Sequence, residues 1–172
     1  MATVSKVFIV VVLLAILIRI FIVDSFIVRG DSMAPTILQG DYIFINKYAY
    51  RLKSPQRGDI IVAKPSVSNG ANIIKRIIAM PDETIEITKN TIQIKTSRND
   101  TGSTIDEPYI ASIGTPEVGI NRINIDPEEY FVMGDNRYAS VDSREFGSVN
   151  SWDIKGKVII LFRFRGFSLK FF

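Results

Sequence analysis

The sequence predicts a mostly β, antiparallel domain preceded by one N-terminal transmembrane helix. Short runs rich in Ile, Val and Phe recur between Asp41 and Phe164, turn signals separate them, and no long helical period lies between. Ahead of them, Val7 to Ile18 is an unbroken apolar run of twelve residues. A chain of 172 residues suits one compact domain with a small appendage. Its 47% hydrophobic content excludes disorder as the default.

Residues 1–6 form a short tail, and the anchor is placed at 7–23, where Ile20 to Val23 extend the apolar run past Arg19. Those 17 positions would make a helix roughly 25 Å long at ~1.5 Å per residue, slightly short of a ~30 Å hydrocarbon core. Arg19 lies one turn from the end, where its stem snorkels to headgroups. A cleaved secretory leader and a buried helix are the alternatives. Phe21 to Phe26 holds no A-x-A-like cleavage site, and nearly all faces of the segment are apolar, so a retained anchor is the reading taken. Lys6 flanks one side and Arg19 and Arg29 the other, so flanking charge does not set the orientation.

The predicted strands are Asp41–Asn46, Asp59–Lys64, Asn72–Ala79, Thr84–Thr88, Thr91–Lys95, Tyr130–Met133 and Lys157–Phe164. Gly40-Asp41, Gly58-Asp59, Pro81-Asp82, Lys89-Asn90 and Gly134-Asp135 supply the turns. The stretch from Thr96 to Pro127 is more polar and reads as a small lobe inserted at about 96–127. The C-terminal phenylalanines 162, 164, 167, 171 and 172, interleaved with Arg163, Arg165 and Lys170, suit either core or lipid headgroups. Phe171 and Phe172 read as the interfacial part.

Charge and missing residue types narrow the chemistry. Lys6 and Arg19 supply two of the 21 basic residues, leaving the chain from Asp24 onward nearly neutral against 18 acids. That gives no electrostatic footprint for nucleic acid, and none is expected as a partner. The absence of cysteine and histidine removes disulfides, thiol catalysis, imidazole bases and the usual zinc sites. Neither a metal nor an organic cofactor is expected. Any hydrolytic chemistry needs another base.

Three patches offer it. In Gly30-Asp31-Ser32-Met33-Ala34-Pro35-Thr36 a glycine and a proline bracket a serine, either an ordinary Asp-Ser turn or a loop presenting a hydroxyl. In the strand Asn72–Ala79 a period of two places Ile73, Lys75, Ile77 and Ala79 on one face and Ile74, Arg76 and Ile78 on the other. Lys75 is then either an edge-strand lysine with its ammonium in water, or a desolvated amine with a depressed pKa. The third patch, Gly134 to Arg144, packs Asp135, Asn136, Arg137, Ser140, Asp142, Ser143 and Arg144 into eleven positions. It is either a solvated loop or a hydrogen-bonded network in which Asp142 pairs with Arg144 and a hydroxyl orients a base.

Together, in this order, Gly-Asp-Ser-Met-x-Pro-Thr, Gly-Asp-Ile-Ile-Val, Ile-Lys-Arg-Ile-Ile-Ala with Pro-Asp-Glu, and Gly-Asp-Asn-Arg-x-x-Ser-x-Asp-Ser-Arg resemble the bacterial type I signal peptidases. The resemblance runs from the apolar segment to about Phe164. It implies a Ser-Lys dyad on that family's β fold, with 24–172 as an extracytoplasmic catalytic domain. Ser32 matches the nucleophile and Lys75 the general base. Ser140 matches the hydroxyl that orients the lysine, Asp142 and Arg144 a supporting pair, and Asp135 a member of the same box. The implied substrates are secretory preproteins with small residues at positions −1 and −3, met at the surface of the lipid bilayer. The implied location is the bacterial cell membrane, single-pass, with the β domain outside. Some relatives carry a serine two places before the nucleophile; Gly30 stands there, leaving the oxyanion to backbone N–H groups, chiefly that of Ser32. A non-catalytic homologue serving as an assembly factor, for example in pilus biogenesis, is the alternative. A self-cleaving regulator with a Ser-Lys pair fits less well, since those carry a DNA-binding head where this chain has an apolar segment.

Overall fold

The computed structural model describes residues 2–51, 53–88, 91–96, 101–110 and 122–172. The turn expected at Lys89-Asn90 and much of the 96–127 lobe lie outside these residues. Helix α1 runs Ala2–Phe21, and Val23, placed at the end of the anchor by hydropathy, already opens the first strand. Among the described residues no helix is long and apolar enough to cross a membrane. Within α1, the side chains at 2, 3, 15, 17, 18, 20 and 21 lie outside them.

The body is antiparallel β, as the alternation of short apolar runs and turns predicts. The larger sheet holds β1 (Val23–Ile27), β2 (Tyr42–Asn46), β3 (Ile60–Ala63), β4 (Ile73–Ala79), β9 (Glu129–Met133), β10 (Val149–Asn150), β11 (Ile154–Arg163) and β12 (Ser168–Phe171). Its order is β1-β2-β11-β3-β4-β9-β10, with β12 also paired to β11. A second sheet, ordered β7-β6-β5-β8, is built from β5 (Thr84–Ile87), β6 (Ile92–Lys95), β7 (Ser103–Thr104) and β8 (Arg122–Asn124). Strands β5 and β6, read as part of the main series, thus pair with flanks of the polar excursion instead.

Burial follows from these pairings. Strand β2 alternates, with Ile43 and Ile45 inward, whereas β3 is buried at all four positions because β11 and β4 flank it and both faces are covered. Strand β4 lies between β3 and β9, with Lys75 opposite Ile61 and Arg76 opposite Ile60. This interior position overturns the edge-strand reading of Lys75. At the end of the chain Phe164, Phe167 and Phe171 are exposed, but Phe172 packs against the core and its N–H donates to the Ile159 carbonyl.

Two hydrophobic clusters position the functional loops. One joins Met33 and Ile37, from the loop after β1, to Ile43, Ile45, Ile60 and Val62. Burying such side chains stabilises by ~1.5–3 kcal/mol each, enough to pin a short loop. The other joins Ile85, Ile87, Ile92 and Ile94 of the smaller sheet to Phe131 and Met133 of β9. The smaller sheet therefore packs on the strand that leads into Gly134.

Gly156 in β11 shows how close the strands run: a Cβ there would lie 2.6 Å from the Asn46 carbonyl oxygen. The obstruction is backbone, which cannot rotate away. Gly156→Ala is predicted to cost ~1–3 kcal/mol, lowering Tm by roughly 2–12 °C in a thermal melt. An unchanged Tm would contradict this packing.

Candidate active site

Ser32 sits in the turn that follows β1. Gly30 takes φ +82°, a left-handed conformation that glycine adopts without strain, and the Ala34–Pro35 peptide is cis. Met33 and Ile37 are fully buried on the far side of this turn, so the half-buried Ser32 is held toward β4. The Ile37 N–H donates to the Met33 carbonyl at 2.9 Å and that of Ala34 to Asp31 at 3.1 Å, bracing the turn from within. Among the described residues the Ser32 N–H has no hydrogen-bond partner.

Lys75 comes from the middle of β4 and is 4% exposed. Its Nζ donates to Ser32 Oγ at 2.9 Å, a contact between residues 43 positions apart. Burial holds the amine below the usual lysine range; Asp142 and Asp135 oppose the shift and Arg144 adds to it. Ser32 and Lys75 line a cleft of about 230 Å³ with Phe26, Val28, Met33 and Ile74. The lining of this cleft is mixed, with Arg29 and Asn72 beside the apolar side chains.

The loop from Gly134 to Arg144 closes the other side. Asp142 is fully buried and accepts from the Gly134 N–H at 2.9 Å and from Ser140 Oγ at 2.7 Å. Arg144 adds Nε to Oδ1 at 2.7 Å and Nη2 to Oδ2 at 2.9 Å, a bidentate pair. Asp142 also caps the short helix α2 (Ser143–Phe146), accepting from the Arg144 N–H. Ser140 therefore commits its proton to Asp142, and its hydrogen bond runs there rather than to Lys75.

Asp135 is held by Arg76, the neighbour of Lys75. Nε meets Oδ1 at 2.8 Å and Nη2 meets Oδ2 at 2.6 Å, with both residues buried. The remaining Arg76 nitrogen, Nη1, donates to the Gly58 carbonyl at 2.9 Å. Among the described residues no buried side-chain N or O atom lacks a hydrogen-bond partner. That matters because a half-satisfied polar network in this setting would destabilise the fold.

Two contacts tie the loop to the serine turn. The Asn136 N–H donates to the Ser32 carbonyl at 3.0 Å, and its side-chain amide donates to the Asp31 carbonyl at 3.2 Å. Gly134 has no Cβ to separate them: one would lie 2.4 Å from the Ser32 carbonyl and 2.3 Å from Ser140 Oγ. The structure thus brings all six residues singled out, Ser32, Lys75, Ser140, Asp142, Arg144 and Asp135, into one connected neighbourhood. Sequence reasoning left out the roles of Arg76, Asn136 and Gly134, whose only signal was their place beside the chosen residues. Glu107 and Tyr109, which no sequence pattern singles out, join the network from a more distant segment through Arg137 and Arg76. Chemically, a hydroxyl in contact with a desolvated amine is a nucleophile with a base attached.

Comparison with known proteins follows the same line. The family model described as "Signal peptidase, peptidase S26" matches residues 1–163. A signal peptidase I of Bacillus amyloliquefaciens is 37% identical over 148 residues, covering 81% of this chain and 73% of its own. Signal peptidase I P of Bacillus subtilis subsp. natto is 34% identical over 161 residues, covering 88% and 83%. A probable signal peptidase I-2 of Synechocystis is 32% identical over 163 residues, covering 92% and 71%. With the family match spanning nearly the whole chain, this protein belongs to the signal peptidase family, peptidase S26.

Proposed function

We propose that this protein is a membrane-anchored serine endopeptidase that removes N-terminal signal peptides from secreted preproteins, using Ser32 and Lys75. The observation that carries the reading is the 2.9 Å contact between Lys75 Nζ and Ser32 Oγ in a chain without histidine. Family membership supports a peptidase and preproteins bearing signal peptides as its substrates.

In the proposed reaction, Lys75 enters as a neutral amine and its lone pair accepts the Ser32 hydroxyl proton. Ser32 Oγ attacks the scissile carbonyl and the C–N bond breaks as Lys75 returns the proton to the leaving amine. The acyl group is then held as an ester on Ser32. Lys75 next takes a proton from water, whose oxygen attacks the ester carbonyl; as the C–O bond to Ser32 breaks, Lys75 returns that proton to Ser32 Oγ, and the released signal-peptide acid ionises to a carboxylate. The unpartnered Ser32 N–H is the donor for the oxyanion. The limited cleft beside the pair suits small residues at −1 and −3.

The same reading makes α1 the anchor, with the β domain on the extracytoplasmic side of a bacterial cell membrane. Val7, Phe8, Ile9, Val10 and Val11 occupy consecutive positions, hence every face, and are each 57–68% exposed. Apolar side chains on every face, uncovered by protein among the described residues, are accounted for by lipid. The eight residues between Val23 and Ser32 reach roughly 28 Å at ~3.5 Å each, so Ser32 stays near the bilayer surface. The full chain is predicted to remain with membranes on alkaline carbonate extraction, and deletion of residues 2–21 to release it. Extraction of the full chain would contradict the anchor.

The activity is tested with detergent-solubilised protein and a preprotein bearing an Ala-x-Ala site, product N-termini being read by mass spectrometry. Cleavage directly after the second alanine is predicted. Ser32→Ala should lose at least ~10³-fold, and Lys75→Arg ~10²–10⁴-fold or more, because a guanidinium stays protonated. Since the neutral amine is the active form and burial lowers its pKa, kcat should rise through an acid limb below the usual lysine range and then level off. A folded wild type that leaves several preproteins intact would overturn the reading, as would an active Lys75→Arg variant.

A further inference from the structure

Three arginines are buried around the loop between β9 and α2, and each meets one carboxylate. Arg76 holds Asp135 and Arg144 holds Asp142, both carboxylates belonging to the loop itself. Arg137 is different. Its carboxylate is Glu107, which lies after β7 on the segment 105–110 that comes from the smaller sheet. Nη1 donates to Oε2 at 2.9 Å and Nη2 to Oε1, a bidentate pair in which the Arg137 side chain is 1% exposed.

Tyr109, two residues on, makes the segment a strap. Its ring lies under the Arg76 guanidinium, 3.9 Å from centroid to Cζ, and its hydroxyl donates to Glu107 Oε1 at 2.7 Å. Burial, then the Glu107 charge, raises the phenol pKa, so the hydroxyl remains a donor. Ile105 and Tyr109 pack against the cluster that includes Met133, the residue before Gly134. The strap is thus fastened to two of the three arginines and to the end of β9.

From Glu107 the contacts run on to the nucleophile. Arg137 Nε donates to the Gly134 carbonyl at 3.0 Å, and the Arg137 carbonyl accepts from Arg144 Nη2 at 2.9 Å. Gly134 lies against both the Ser32 carbonyl and the Ser140 hydroxyl, with no room even for a methyl group. Without Glu107, Arg137 is a buried cation lacking its counter-charge. The cheapest relief is to turn it toward water, which releases Gly134. We propose that Glu107 is a positioning residue: through Arg137 it holds Gly134, and with it Ser32 and Ser140, in the geometry the reaction needs.

This proposal rests on the Ser32–Lys75 reading for its effect on catalysis, but the mechanical coupling has a readout of its own. Glu107→Gln keeps the volume and removes the charge. In the full detergent-solubilised chain, hydrogen exchange should quicken at 30–37 and 134–144 while β2, β3 and β11 stay protected. In the cleavage assay kcat should fall roughly ten- to a hundredfold with KM within about twofold, as expected for reacting groups displaced by a fraction of an ångström to an ångström. The acid limb of the kcat profile should also move upward, because water reaching Lys75 favours its ammonium; Asp135, Asp142 and Arg144, the charges named around Lys75, are unaltered. Arg137→Ala should reproduce these effects, and the double variant should lose no more than the worse single one.

Unchanged exchange in both loops would overturn the proposal, as would a lowered Tm with unchanged kcat. A raised KM at constant kcat would also overturn it, assigning Glu107 to substrate contact. If Glu107→Gln does not fold, Glu107→Asp, which keeps the charge one methylene short, is read in the same way. A wild type without cleavage activity would contradict the functional reading alone, since the exchange measurement still decides the coupling.

Discussion

The burial of one amine organises this structure. Lys75 sits on an interior strand, 4% exposed, and touches Ser32 across 43 residues of sequence. Removing an ammonium from water is costly, and the protein lowers that cost by favouring the neutral form. In the proposed reaction, a chain without histidine thereby obtains its base from a residue that is ordinarily a cation. The apolar environment that makes Lys75 useful is the same one that makes β4 a core strand.

Such a site needs its other charges under strict control, because stray cations or anions nearby would reset the amine. The fold answers with paired groups. Arg76 and Arg144, which flank Lys75, are each neutralised by a bidentate carboxylate, and Arg137 by a third from the smaller sheet. Bidentate pairing fixes orientation as well as charge, so these pairs also define the path of the Gly134–Arg144 loop. Against that loop the serine turn is clamped from two sides: Met33 and Ile37 draw it into the core, and Asn136 holds its carbonyl groups while Gly134 leaves room for the approach. Ser32, Lys75 and the Gly134–Arg144 loop therefore come from three separate elements, and each is located by contacts that do not depend on substrate.

Much of this was legible in the residues. Runs such as Tyr42–Asn46 and Ile73–Ala79 announce strands because Ile, Val and Phe suit a buried pleated surface. Strand β1 was hidden because Asp24 and Ser25 interrupt its apolar pattern and it follows the helical run directly. Strands β7 and β10 have only two residues each, and exist through pairing with β6 and β9 rather than through propensity. At the site, Ser32 and Lys75 stood out as chemistry-bearing residues, but whether Lys75 met water or core depended on strand order, which no local pattern encodes. Ser140 was expected to bond the lysine; its geometry ties it to Asp142 instead. Glu107 carried no local sign of its role, since its partner Arg137 lies 30 positions away and only the packing of the smaller sheet joins them.

The central claim is that burial holds the Lys75 amine below the ordinary lysine range. Titration of the full chain, with lysine labelled at Cε by carbon-13 and followed by NMR, measures this directly. The account predicts one lysine resonance, absent in Lys75→Arg, that titrates below the ordinary lysine value. If the Lys75 resonance titrates at the ordinary lysine value, about 10.4, the amine is an ordinary ammonium and the account fails.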